Sequence, residues 1–131
     1  MHKNFLITAS LLAGLSVLLG AFAAHQLKQV VAADVLQIFE TAVRYQMYHA
    51  LALFITGILY QSFPVKQLRW AGNLFIAGII LFSGSLYFLC FIKHQNISAL
   101  WVGAITPLGG LCFIAGWVLL ALGVVKKTTV L

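Results

Sequence analysis

Apolar residues along this chain are gathered into four long blocks, separated by short polar stretches. The first runs from Phe5 to Ala24 and holds no ionisable side chain. The second, Tyr45 to Phe63, carries His49 and Gln61 near its ends; the third is Trp70 to Ile92 and the fourth Leu100 to Val125. A bilayer-spanning helix needs about 20 such residues, because ~30 Å of hydrocarbon is crossed at ~1.5 Å per residue. All four blocks reach that length, so the pattern predicts four spans in a single membrane domain over residues 1–131.

Two features of the first block compete. Ala21-Phe22-Ala23 behind Lys3 and an apolar stretch fits a signal-peptide cleavage site. The block is longer than the roughly 7–15 apolar residues of a signal peptide, so it reads as a retained helix. Ser16, Gly20 and Ala24 recur every fourth residue, a ridge of small side chains on which another helix can lie.

The connectors differ in kind. Residues 62–69, with Pro64, Lys66 and Arg69, form a short hairpin loop, and residues 93–98 a second one. The stretch between the first two spans mixes Leu27, Val30, Val31, Leu36 and Phe39 with Gln26, Lys28, Asp34 and Glu40. That mixture predicts an amphipathic helix over about 26–43, lying at the membrane interface. The expected fold is therefore all-α: an integral membrane four-helix bundle with one interfacial helix.

Composition closes off the soluble alternatives. The chain is 63% hydrophobic and 8% charged, with mean hydropathy +1.05. A soluble domain carries about 25% charged residues to cover its surface, so the bilayer is the first partner to expect. The formal charge of +6 implies no nucleic acid, since no basic run exceeds Lys126-Lys127. With four spans, Lys3, Lys66, Arg69, Lys126 and Lys127 share a side with both termini, and Lys28, Arg44 and Lys93 take the other. Five cations against three place both termini in the cytoplasm by the positive-inside rule. Cys90 and Cys112 fall at different depths, which argues against a disulfide.

Small residues mark the packing faces. Gly109, Gly116 and Gly123 recur at intervals of seven, as do Gly103 and Gly110, a period that keeps them on one seam of a left-handed helix pair. Gly20 and Gly84 are further packing positions, and Pro107 kinks the fourth span, with Thr106 placed to satisfy a freed carbonyl.

Polar residues carry the functional signal. His25, His49 and His94 lie on the side away from the termini. Tyr45 and His49 share a helical face, and Glu40 and Arg44 are spaced for an ion pair. These residues predict a polar cluster of His25, Tyr45, Gln46, His49, Ser83, Ser85 and Thr106, with the two imidazoles pointing inward and within about 10 Å, close enough to share a water or ligand. Set against this is the plainer expectation of an interfacial aromatic belt and helix-to-helix hydrogen bonds. No catalytic residues, metal ligands or cofactor are assigned: zinc spacings, a P-loop and a nucleophile elbow are missing from the sequence. No ionisable residue is expected in the middle third of a span, which argues against an ion pump.

Four stretches in order, G-A-F-A-A-H, E-T-A-V-R-Y-Q-M-Y-H, L-F-S-G-S-L-Y and T-P-L-G-G-L-C-F-I-A-G-W, resemble a family of small four-helix bacterial inner-membrane proteins, domain of unknown function 423. The resemblance spans nearly the whole chain. It implies signature positions at Gly20, Ala21, His25, Tyr45, Gln46, His49, Ser83, Gly84, Ser85, Tyr87, Thr106, Pro107, Gly109, Gly110, Gly116 and Trp117. Ala23 departs from it, where the family commonly has glycine. The family implies a fold and a membrane location but no activity. The expected protein is thus a non-enzymatic, multi-pass inner-membrane protein, structural or a partner of other membrane proteins or of itself. The alternative is a module binding haem, a quinone or a lipid in the polar cluster.

Overall fold

The computed structural model describes residues 1–98 and 100–128, with side chains as far as Val125. The side chains of Lys126 and Lys127, counted above among the cations, lie outside the described part. The chain forms α1 (Lys3–His25), a 3-10 turn (Leu27–Gln29), α2 (Ala33–Leu59), α3 (Lys66–Gly78), a π turn (Ile79–Ser83), α4 (Gly84–His94) and α5 (Leu100–Thr128). Helices α3 and α4 continue through the π turn as one rod, so four antiparallel rods make an all-α membrane bundle. Three of them are long and apolar enough to cross a bilayer: Lys3–Gln29, Lys66–His94 and Leu100–Val125.

The fourth rod, α2, corrects the expected boundaries. Residues 26–43 do not form a separate interfacial helix. They divide into the 3-10 turn, a bend, and the first turns of a helix that runs unbroken through the second apolar block. The physical reason is the lack of any breaker: no proline or glycine occurs between Ala33 and Thr56, and Asp34 in the first turn suits the positive end of the helix dipole. At 27 residues, α2 measures about 40 Å. It packs on α1, α3, the π turn and α4 and buries Gln46, His49 and Thr56, while Asp34, Gln37, Glu40 and Arg44 are exposed.

Close packing comes from small residues. Toward α2, α1 turns Ala9, Ser16 and Ala23, all buried, with Gly20 in ordinary contact with Val43 at 3.5 Å. Ala24 is exposed, so the small-residue ridge follows Ala23 instead. The methyl group of Ala23 fits there within a second apolar cluster with Val35, Phe39 and Cys90. On the opposite flank α5 lays Gly109 against Phe82, Gly116 against Phe75 and Gly123 against Leu68. Each step of seven along α5 meets a step of seven along the third rod, as a left-handed pair requires. Gly103 and Gly110 make no such seam. A side chain at Gly103 would meet open space, and the nearest neighbour at Gly110 is Phe82 at 4.0 Å. Gly84 also has room around it, with nothing nearer than 4.0 Å, and Pro107 is exposed within the continuous α5.

Candidate functional site

Of the predicted polar cluster, Gln46, His49, Ser83, Ser85 and Thr106 lie within the bundle, Tyr45 stands at its surface, and His25 is apart from all of them. His25, the last residue of α1, is exposed. His49 is 5% exposed and turned inward. The shared two-histidine pocket is therefore not formed. Its premise was that both residues sit at the same membrane edge. Because α2 begins at Ala33, His49 is the seventeenth of its 27 residues and lies well inside the bundle.

His49 is held from several directions. Its ring stacks on Phe113 with centroids 3.4 Å apart and 6° between planes. Trp117 Nε1–H donates to His49 Nε2 at 3.2 Å. An indole can only donate, so Nε2 is an acceptor and the proton of the neutral ring sits on Nδ1. That proton is donated to the Tyr45 carbonyl at 2.8 Å. Both nitrogens are therefore in use, which leaves neither free to ligate iron.

Other members of the predicted cluster serve as separate ties between helices. Gln46 donates to the Leu12 carbonyl at 2.9 Å and accepts from the Tyr87 hydroxyl at 2.9 Å, joining α1, α2 and α4 at one side chain. Ser83 donates to the Ala42 carbonyl at 2.8 Å, fixing the π turn to α2. Ser85 donates to the Phe82 carbonyl at 2.9 Å, so it is Thr106 that donates to Ser85, at 2.7 Å. Thr106 thus binds α4 to α5 and does not serve a carbonyl freed by Pro107. Replacing Gln46 with Leu removes two ties at once. We expect a loss of about 1 kcal/mol of stability, the usual size of a hydrogen bond between membrane helices. Unfolding in mixed micelles measures it, and an unchanged midpoint would mean that the ties carry no net stability.

Two apolar hollows open beside these ties. A groove of about 520 Å³ lies between α2 and α5, lined by Tyr45, Tyr48, His49, Phe113, Ile114 and Trp117, together with Phe82 and Gly110. It exists because α5 rests on the third rod, leaving α2 to meet it mainly through the His49 rings. A smaller hollow of about 240 Å³ lies near the exposed end of α1, between Phe22, Leu27, Val31, Phe39, Tyr87 and Phe91. Close to that end Lys93 donates to Asp34 at 3.1 Å, and this hydrogen bond holds the Asp34 carboxyl below its ordinary pKa.

What sequence reasoning placed elsewhere is the charge on α2. Ser83, in the π turn of the third rod, bonds the carbonyl of Ala42, so Arg44 stands about level with the middle of that rod. The three candidate spans carry no Asp, Glu, Lys, Arg or His in their middle thirds, whereas α2 carries Arg44 and His49 well within its length. Arg44 and Glu40 are both exposed, and among the described residues they form no salt bridge, with each other or with another group. The spacing that suggested an ion pair within the helix is not used.

Comparison with known proteins agrees with this architecture. A family model described as "Protein of unknown function (DUF423)" matches residues 19–110. A Bacillus subtilis (strain 168) protein named UPF0382 membrane protein YwdK is 45% identical over 125 residues, covering 95% of this chain and 98% of its own length. UPF0382 membrane proteins of Staphylococcus aureus (strain bovine RF122 / ET3-1) and Staphylococcus haemolyticus (strain JCSC1435) are 44% and 41% identical over 124 residues, each covering 95% of this chain and 97% of their own. No solved structure matches. With relatives aligned along nearly its full length, and the family model over most of its helices, the chain belongs to the DUF423 family of membrane proteins.

Proposed function

We propose that this protein acts without catalysing a reaction, as a lateral assembly partner within the bacterial inner (plasma) membrane. The observation that carries this reading is the exposed charge of Glu40 and Arg44 on α2, with Arg44 about level with the exposed Leu18 of α1 and Ile80 of the third rod. A charged residue at the centre of a bilayer costs about 3 kcal/mol or more. Arg44 is 11 residues, or about 16 Å, down α2 from Ala33. A protein partner covering this face removes that cost.

The test is photocrosslinking in native membranes, with a reactive residue at Thr41 on α2 or at Leu11 on α1. Leu11 is 69% exposed and has an apolar neighbourhood. Thr41 should yield a protein adduct and Leu11 lipid only. Lipid adducts at both positions would end the assembly reading.

Cation counting supports an orientation as part of the same reading. With Arg44 inside a span, Lys28 and Lys93 remain on the side away from the termini, against five cations on the side of the termini. Both termini are accordingly assigned to the cytoplasm. A reporter active only in the cytoplasm should work when fused after Leu131, and activity of a periplasmic reporter there would reverse the assignment.

The open groove between α2 and α5 supports a second reading, a lipid-soluble ligand such as a quinone or a lipid chain. Haem fits less well, because both His49 nitrogens are occupied. Mass spectrometry of extracts from the purified protein distinguishes the cases. A co-purifying molecule lost on Trp117→Ala would favour the groove; none would dismiss it.

A further inference from the structure

We infer that the partner on α2 is a second copy of this chain, paired through a two-fold axis along the membrane normal, with Glu40 of each copy bonded to Arg44 of the other. This rests on the assembly reading and adds the identity of the partner. Three features of α2 lead to it.

The first is the shape of the exposed face. Gln37, Glu40, Arg44, Tyr48, Leu51 and Ile55 are all exposed and follow one another at intervals of three and four. They form one continuous stripe down the helix. Its half nearer Ala33 is polar. Its other half is apolar, with Leu51 and Ile55 about half exposed. A second helix laid along the stripe meets polar groups at one level and aliphatic ones at the other.

The second feature is charge. The stripe holds one acid and one base, four residues apart. Such a face complements itself. Copies of one protein insert with the same orientation, so a two-fold pair brings the α2 helices together in parallel. Each residue stands level with its own copy across the axis, so like charges splay to opposite flanks and Glu40 of one copy reaches one turn, about 6 Å, along the axis to Arg44 of the other. The symmetry makes the contact twice. A partner of single-sign charge would satisfy one of the two residues and leave the other uncovered.

The third feature is that neither group has a salt-bridge partner among the described residues. The one salt bridge among the described residues joins Asp34 to Lys93. Gln46, His49 and Ser83, the buried polar groups of this part of the bundle, are all engaged in hydrogen bonds of their own. The charges are left facing outward, free to meet a neighbour.

The experiment uses two differently tagged copies of the full chain, co-expressed and captured in mild detergent through one tag. Wild-type copies should capture each other. Glu40→Arg leaves two cations facing two cations, and Arg44→Glu leaves acids facing acids, so each variant should lose capture of itself by at least about tenfold. Co-expressing a Glu40→Arg copy with an Arg44→Glu copy restores both cross-pairs, and capture should return to the wild-type level. Rescue in trans excludes an ion pair within one helix, which neither copy regains. It also excludes misfolding of either variant. Self-capture unaffected by the single changes, or no rescue by the mixture, overturns the pairing. A foreign protein crosslinked at Thr41 with no self-capture would retain the assembly reading and discard the second copy. Lipid alone at Thr41 would discard both.

Discussion

Gly109→Leu is expected to prevent stable assembly of the bundle, while Gly103→Leu, six residues away on the same helix, leaves it nearly unchanged. A side chain at Gly109 would meet the backbone of Phe82, with the Phe82 Cα and Cβ at 2.8 and 2.7 Å. Backbone in a packed rod cannot swing aside as the end of a side chain can. At that point the third rod is also bound to α2 through Ser83, so the π turn is gripped from both sides. The loss should reach about 3 kcal/mol or more, the upper range for overpacked cores. At Gly103 nothing lies within 4 Å, and a leucine there faces lipid. Gly116→Leu should fall between, at about 1–3 kcal/mol, because its obstacle is the Phe75 ring, which has some freedom to turn. Membrane abundance and unfolding in mixed micelles rank the three. Equal behaviour of the Gly109 and Gly103 variants would show that α5 does not rest on the π turn.

Phe75→Ala should be nearly as damaging. Phe75 is 0% exposed and belongs to the main core cluster with Phe5, Leu53, Ile79 and Phe113. Its ring also fills the space left by Gly116 and lies edge-on to Trp117, with centroids 5.3 Å apart. Removing it leaves a void that neighbours on three rods cannot close without breaking their own contacts. Truncations of this kind cost about 3–5 kcal/mol. The support under the His49–Trp117 pair goes with it, so Trp117 fluorescence should change even where the variant remains folded. A variant with wild-type stability and an unshifted spectrum would place Phe75 at the lipid surface.

The residues by themselves determined that this chain lives in a bilayer. Four apolar blocks of span length and a charged fraction of 8% leave no other way to cover the surface. They also determined the α5 seam, because a period of seven in Gly109, Gly116 and Gly123 has one geometric use in a helix pair, and those three glycines do pack closely. Resemblance in four motifs named the family. These properties are local or periodic, and such information survives in a one-dimensional string.

The tertiary structure decided where α2 begins and what its polar residues touch. Hydropathy marks the apolar half of α2 as a span and the mixed half as interface, since an average over neighbours cannot tell a polar residue facing protein from one facing water. Ala42 shows the difference: it is 0% exposed beside exposed Arg44, because Ser83, 41 residues later, lies on one side of the helix and not the other. The same holds for His49, whose partner Trp117 is 68 residues away, and for His25, which its place on the same side of the membrane suggested as a companion and which the end of α1 leaves exposed. Which polar groups meet is set by helix rotation and relative height. Those arise from packing contacts between rods, and no spacing within one rod encodes them.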